Sequence, residues 1–382
     1  MPSLSRADTS ILGRWWWTVD RWTLLAIGTL IGFGYVMVLA ASPAVALRIH
    51  EPRTWFILKQ VMFLALAGLV VVATSLLSKR GVRRMSLVLG LAALVLTAAT
   101  LVVGVEIKGA RRWIAFPGIS VQPSEFVKPC FAVITAWLLS PENASGRQYG
   151  RYAGPAAVLA IYTAIALLLK SQPDMGMLLV VTAVLLVQAF IAGLNLVLVG
   201  MGAGAIAAAG VGAFFLFPHV HSRVMRFLDP ANGDNYQVTR SLEAFGQGGL
   251  LGRGPGEGHI KDILPDAHAD FVFAVMGEEF GLLVCLLVLG VFAFVVLRGL
   301  LRLVAERDMF TVLAGSGLLA SFGLQAFVNM ASSLRLIPTK GMTLPFVSYG
   351  GSSVIAIAVG IGMLLAVTRT RTRAERGWEA AP

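Results

Sequence analysis

Ten apolar runs recur along this chain, at 22–46, 55–77, 85–105, 120–140, 154–170, 174–192, 195–217, 270–297, 310–332 and 345–367. A helix of about 20 mostly apolar residues crosses the roughly 30 Å of hydrocarbon in a bilayer. A helix also satisfies its own backbone hydrogen bonds, which hydrocarbon cannot do for it. The runs therefore predict an all-α polytopic membrane protein with about ten transmembrane helices. Composition agrees: hydrophobic residues make up 57% of the chain and charged residues 13%. A soluble domain is about 25% charged and needs that polar surface.

The fifth and sixth runs are parted only by Lys170-Ser-Gln-Pro-Asp174, where Pro173 favours a break. No cleavable signal peptide is evident in the polar first twenty residues. Trp15, Trp16 and Trp17 beside Arg14 and Arg21 read as an interfacial anchor. Cys130 and Cys285 fall inside apolar runs and read as small buried hydrophobes rather than disulfide or metal-cluster partners. Gly28-xxx-Gly32 and Gly200-xxx-Gly204 read as helix-packing contacts. The expected organisation is a cytoplasmic tail, 1–21, one membrane domain, 22–368, and a cytoplasmic tail, 369–382. The membrane domain includes a large extracytoplasmic loop, 218–269, between helices 7 and 8.

Basic residues set the orientation. Lys79, Arg80, Arg83 and Arg84, then Arg298, Arg302 and Arg307, then Arg369, Arg371, Arg373 and Arg376 share one side of a ten-span chain. That side is expected to be the cytoplasm. The net charge of +11 then needs no nucleic acid, because basic residues commonly flank spans. Yet the opposite face is also basic. Arg48, Arg53, Lys59, Lys108, Arg111, Arg112, Arg335 and Lys340 lie there, as do Arg223, Arg226, Arg240, Arg253 and Lys261 of the long loop. Two readings stay open: an anionic ligand such as a phosphate group gathers there, or these cations pair with nearby acids.

Three stretches carry chemistry. The long loop holds glycines from Gly246 to Gly258, which lack the ending of a P-loop and read as a flexible turn. It closes on Leu264-Pro-Asp-Ala-His-Ala-Asp270. Asp270 reads either as a helix N-cap or as a partly desolvated general base tuned by His268. Glu278 and Glu279 follow inside the span, where acids suggest function. In Gln122-Pro-Ser-Glu-Phe-Val-Lys128, Glu125 and Lys128 share a helix face at i, i+3. They neutralise each other or line a polar cavity with Lys108, Arg111 and Arg112. Finally, Pro338 to Ser353 breaks up the approach to the last span, bringing Lys340 and the hydroxyls of Ser348 and Ser352. Irregular backbone at membrane depth is tolerated where it lines a cavity or is buried in protein.

Lys108-Gly-Ala-Arg-Arg-Trp113, Gln122-Pro-Ser-Glu125 with Lys128, Tyr236-Gln237 with Ser241, Ala267-His268 with Asp270-Phe271, Gly277-Glu-Glu279 and Pro345 to Ser353 together resemble the SEDS family (shape, elongation, division and sporulation). The resemblance runs from about residue 22 to 368. Within it, Pro338-Thr-Lys-Gly341 is similar to the division-type member; the elongation-type member usually lacks that lysine. One departure is Ala269, where a threonine is common.

The resemblance implies a ten-helix fold and polymerisation of peptidoglycan from lipid II. It implies partnership with a class B penicillin-binding transpeptidase and other division proteins. Asp270 takes the place of the family's essential outer-face aspartate, and Glu125 and Lys128 that of its intramembrane pair. The expected chemistry has Asp270 as base on an acceptor hydroxyl. Lys108, Arg111, Arg112, Glu125, Lys128, His268, Lys340, Ser348 and Ser352 would serve the substrate, and undecaprenyl diphosphate would leave. A divalent cation, Mg2+ or Mn2+, would help neutralise that diphosphate; no organic cofactor is expected. The competing expectations are a lipid II flippase, a scaffold that only positions the transpeptidase, and an elongation-type polymerase.

Overall fold

The structure is a computed structural model that describes residues 10–52, 54–107, 109–141, 153–193, 196–216, 221–222, 225, 236–338 and 341–370. Ten long helices occupy the ten expected positions: α2 (Arg21–Arg48), α3 (Trp55–Ser75), α4 (Lys79–Val103), α5 (Ser124–Leu139), α6 (Ala153–Ser171), α7 (Met175–Ile191), α8 (Leu196–Leu216), α11 (Val272–Val304), α12 (Met309–Ser333) and α13 (Gly351–Thr368). Seven of them, among the described residues, are long and apolar enough to cross a membrane by length and composition. A short helix, α1 (Ile11–Thr18), precedes them.

Several helices begin on a side chain that accepts a hydrogen bond from an otherwise orphaned backbone N–H. Asp20 caps α2, Ser78 caps α4, Asp174 caps α7 and Asp308 caps α12. The Pro173 break falls as read, between α6 and α7. α12 and α13 are the most buried long helices, while α4 and α6 present most of their surface outward. α13 packs on α3, and α12 packs on α5, α7 and α11.

Four readings change. Gly28, Gly32, Gly200 and Gly204 have open space where a Cβ would stand, so none is a close helix contact among the described residues. Trp15 is buried and its indole N–H donates to Ser75 Oγ at 2.8 Å, so part of the Trp cluster is core. A three-stranded antiparallel sheet, β1 (Val105–Ile107), β2 (Ala110–Phe116) and β3 (Ile119–Val121), fills the link before α5. Pro117-Gly118 makes its second turn, with Gly118 at φ +79°. That is the pairing of proline and positive-φ glycine favoured in a type II turn.

The described part of the long loop, 236–269, is also more ordered than a flexible turn. It contains α9 (Tyr236–Gly248) and α10 (Ile260–Ile263). Its glycines lie against a break in α11 at Gly281, which has φ +75°. There the backbone N–H groups of Arg253 and Gly254 donate to the carbonyls of Glu278 and Glu279. Those of Leu282 and Leu283 donate to Gly249 and Leu250. A Cβ on Gly281 would stand 2.3 Å from Gly252 N, so only glycine permits this approach.

Glu278 and Glu279, both fully buried, anchor the same segment. Glu278 accepts from the N–H groups of His259 and Ile260. Glu279 accepts from Gly256 N–H and pairs with Lys261 at 2.5 Å. Their visible work is therefore structural.

Candidate functional site

The irregular segment before α13 folds back beneath the turn that carries Asp270. Ser348 Oγ donates to Ala269 O at 2.6 Å, and Tyr349 N–H donates to His268 O at 2.9 Å. The Asn329 amide, from α12, donates to Asp270 O at 2.9 Å and to Met342 O at 2.6 Å. Gln60, from α3, donates to Ser348 O at 3.0 Å. These bonds satisfy backbone groups that no helix or sheet satisfies, as buried irregular chain requires.

Asp270 does not cap α11. Phe271 holds the N-cap position, and no side chain caps that helix. Asp270 instead lines a cavity of about 1120 Å³. The same cavity is lined by Glu125 from α5, Arg112 and Trp113 from β2, Asp174, Asp266, Gln325, Arg335 and Lys59. Phe116, Ile119 and Ile107 of the sheet supply an apolar wall. Charge of both signs thus faces one chamber that also has a greasy side, as an amphipathic ligand needs.

Glu125 and Lys128 form an ion pair at 2.8 Å near the cavity floor. Lys128 is 3% exposed and also donates to Gln325 Oε1 at 2.5 Å. The Gln325 amide N–H groups reach Thr343 and Ser353. The pair therefore neutralises itself, and of the second reading only Glu125 and Arg112 line the cavity, without Lys128 or Arg111.

The remaining expected residues divide. Arg112 lines the cavity but is held by the carbonyls of Gln172 and Pro173, at 2.9 and 2.6 Å, and lies 3.5 Å from Asp174. Arg111 points elsewhere, exposed and paired with Glu106 at 3.4 Å. Ser348 is fully buried, accepting from Leu344 N–H while it donates to Ala269. Ser352 joins α13 to the sheet by donating to Ser120 O at 3.4 Å, and accepts from Gln122 N–H, just past β3, at 3.0 Å. Arg111, Ser348 and Ser352 are not in the cavity wall. His268 stacks near Phe56 and Tyr349 behind the Asp270 turn, with ring centroids 4.9 and 5.1 Å away. Lys108 and Lys340 lie outside the described residues.

Several outer cations are committed to protein groups: Arg48 to Leu264 O, Arg240 to Glu243 and Lys261 to Glu279. For Arg240 and Lys261 the reading of pairing with nearby acids is the right one, while Arg48 is held by a backbone carbonyl. Among the described residues no three His, Cys, Asp or Glu side chains gather as a metal centre would require.

A bundle of long apolar helices around a charged chamber, with an irregular segment walling it at the end of the bundle, defines a polytopic membrane protein with a built polar site. The chain belongs to the FtsW, RodA and SpoVE family of cell cycle proteins, whose model matches residues 21–373. It is 41% identical over 357 residues to a protein of Caulobacter vibrioides (strain NA1000 / CB15N), described as a probable peptidoglycan glycosyltransferase FtsW, covering 93% of this chain and 90% of that one. It is 35% identical to a protein of the same description from Trichlorobacter lovleyi, covering 88% and 89% of the two chains.

Among solved structures, a chain of a peptidoglycan synthase complex, studied for the coordination of polymerization and crosslinking, superposes with a TM-score of 0.73 at 28% identity. The match covers 92% of this chain and 97% of that one. The rod shape determining protein RodA of Thermus thermophilus superposes with a TM-score of 0.67, also at 28% identity, with the same coverage.

Proposed function

We propose that this chain is a peptidoglycan glycosyltransferase that polymerises lipid II into glycan strands during division. The observation that carries this reading is the placement of Asp270 in the wall of a cavity shared with Glu125 and Arg112, in a chain 41% identical to a probable FtsW glycosyltransferase. Lipid II joins a polyprenyl tail to a sugar through a diphosphate. The cavity offers an apolar wall of Phe116, Ile119 and Ile107 and cations at Arg112, Arg335 and Lys59.

In this mechanism Asp270 takes the proton from the 4-hydroxyl of the acceptor GlcNAc as that oxygen attacks the donor's anomeric carbon. The bond to the diphosphate breaks on the opposite face, so the α-linked donor becomes a β-linked glycan. Undecaprenyl diphosphate leaves with the bonding electrons, and positive side chains stabilise its developing charge. Lys108 and Lys340 are proposed to join them. A divalent cation would fit as a companion of the diphosphate, neutralising its charge, because the described residues do not gather a protein-built metal centre.

The proposed setting is the bacterial cytoplasmic membrane at the septum, with both termini cytoplasmic and the Asp270 face periplasmic. The proposed partner is a class B penicillin-binding transpeptidase; the likeness to a chain of a peptidoglycan synthase complex supports it.

The test combines purified protein, its cognate transpeptidase and fluorescent lipid II. Asp270→Asn is expected to abolish glycan chains while lipid II binding persists. Full polymerisation by that variant removes Asp270 as the base. Lipid II transfer across vesicles without polymerisation, in the unsubstituted protein, favours the flippase.

A further inference from the structure

We infer that Asn329 is a positioning residue for Asp270. The inference rests on the proposed role of Asp270 as base. Asn329 lies near the C-terminal end of α12, an apolar helix, and is fully buried. Its two amide hydrogens go to two carbonyls on different segments: Asp270 O at 2.9 Å and Met342 O at 2.6 Å. An amide has two donors on nitrogen and only acceptors on oxygen. Both neighbours are acceptors, so the nitrogen must face them, and the chemistry fixes the orientation of the group.

The other end of the amide shows what the residue is for. Asn329 Oδ1 is buried and has no hydrogen-bond partner among the described residues. An orphaned buried acceptor is a poor way to fill apolar space, where leucine would serve without that cost. The two donations therefore account for an amide here. One of the two accepting carbonyls belongs to Asp270 itself. The other belongs to Met342, the neighbour of Gly341, whose Cβ position would stand 3.1 Å from Asp270 Oδ2.

Asn329 thus ties the backbone of the proposed base to the chain that forms one side of its carboxylate. It sets the distance between them from behind, without reaching the cavity. A base that must meet a hydroxyl within hydrogen-bond reach is sensitive to such spacing. A displacement of about 1 Å can lower a rate by on the order of a hundredfold.

The experiment compares Asn329→Ala with the unsubstituted protein and with Asp270→Asn, each purified with the cognate transpeptidase and given lipid II. Melting temperature and lipid II binding serve as folding controls. Should Asn329→Ala fail them, Asn329→Leu, with the same branching at Cγ but without a donor, replaces it.

The expected result is a kcat at least about tenfold lower with KM within about threefold, in a variant that still binds lipid II. A kcat within about twofold of the unsubstituted value overturns the positioning role. So does a loss carried by KM or matched by a loss of folded protein. If Asp270→Asn itself polymerises, the base assignment fails, and positioning of a base fails with it. If Asp270→Asn is inactive while Asn329→Ala and Asn329→Leu are not impaired, only the present inference falls.

Discussion

Gly341 sits so close to Asp270 that a methyl group on its α-carbon would stand 3.1 Å from the carboxylate oxygen Oδ2. That is tighter than an ordinary van der Waals contact, so either the carboxylate or the 341–344 backbone would have to shift. Gly341→Ala is therefore expected to lower kcat by about tenfold through displacement of the base, with lipid II affinity little changed. Steady-state polymerisation and a separate lipid II binding titration check this. Normal turnover by the alanine variant means that the carboxylate has room to spare.

The Glu125–Lys128 pair gives an asymmetric expectation. Lys128 is held by Glu125 at 2.8 Å and Gln325 at 2.5 Å and is almost wholly buried. Removing one partner of such a pair leaves a buried charge uncompensated, at a cost of about 3–5 kcal/mol. Lys128→Met should therefore destabilise the protein more than the double variant Glu125→Gln with Lys128→Met. Thermal unfolding in one detergent ranks the two, and equal melting temperatures would show that water already solvates Glu125.

At the other end of the bundle, Asp20 accepts two 2.8 Å hydrogen bonds from the Arg298 guanidinium and lies 3.2 Å from Arg302. Burial raises the Asp20 carboxyl pKa. The hydrogen bonds from Arg298 and Thr23 and the charges of Arg302 and Arg298 outweigh burial and hold it below its usual value of 3.8. The contribution is thus complete above the unfolded-state value and is lost as pH falls through the lower folded value. Asp20→Asn should cost about 2 kcal/mol at pH 7. The difference in melting temperature should persist down to about pH 5 and narrow only as the carboxyl protonates. A gap that closes between pH 7 and pH 5 assigns the effect to another group.

What the sequence makes legible is the part governed by long repeated patterns. Each apolar run became a helix, and Pro173 marked the break between α6 and α7. Asp270, Glu125 and Arg112 were legible as charged residues beside or within apolar runs, and they meet in one cavity. The sheet was not, because its strands are short and the alternation in β2 is masked by Arg111-Arg112-Trp113. Asn329, Gln325 and Gln60 were missed for a different reason. A single amide in an apolar helix has no spacing signature, and its partners are backbone and side-chain groups on other segments. Their one visible signal is polarity inside an expected span. Ser348 and Ser352 sat in the right segment, but a hydroxyl that holds backbone looks the same in sequence as one that faces a ligand.

The turn that carries Asp270 takes its shape from chain that follows it. Asn329 lies 59 residues downstream of Asp270, and Ser348 lies 79 residues downstream of Ala269. A ribosome making this protein delivers the Asp270 turn well before the groups that set its geometry. The site is therefore expected to stay unassembled until the last helix has been synthesised and inserted. Completion of the chain then becomes the licence for activity, and a prematurely ended product carries the carboxylate without the means to aim it.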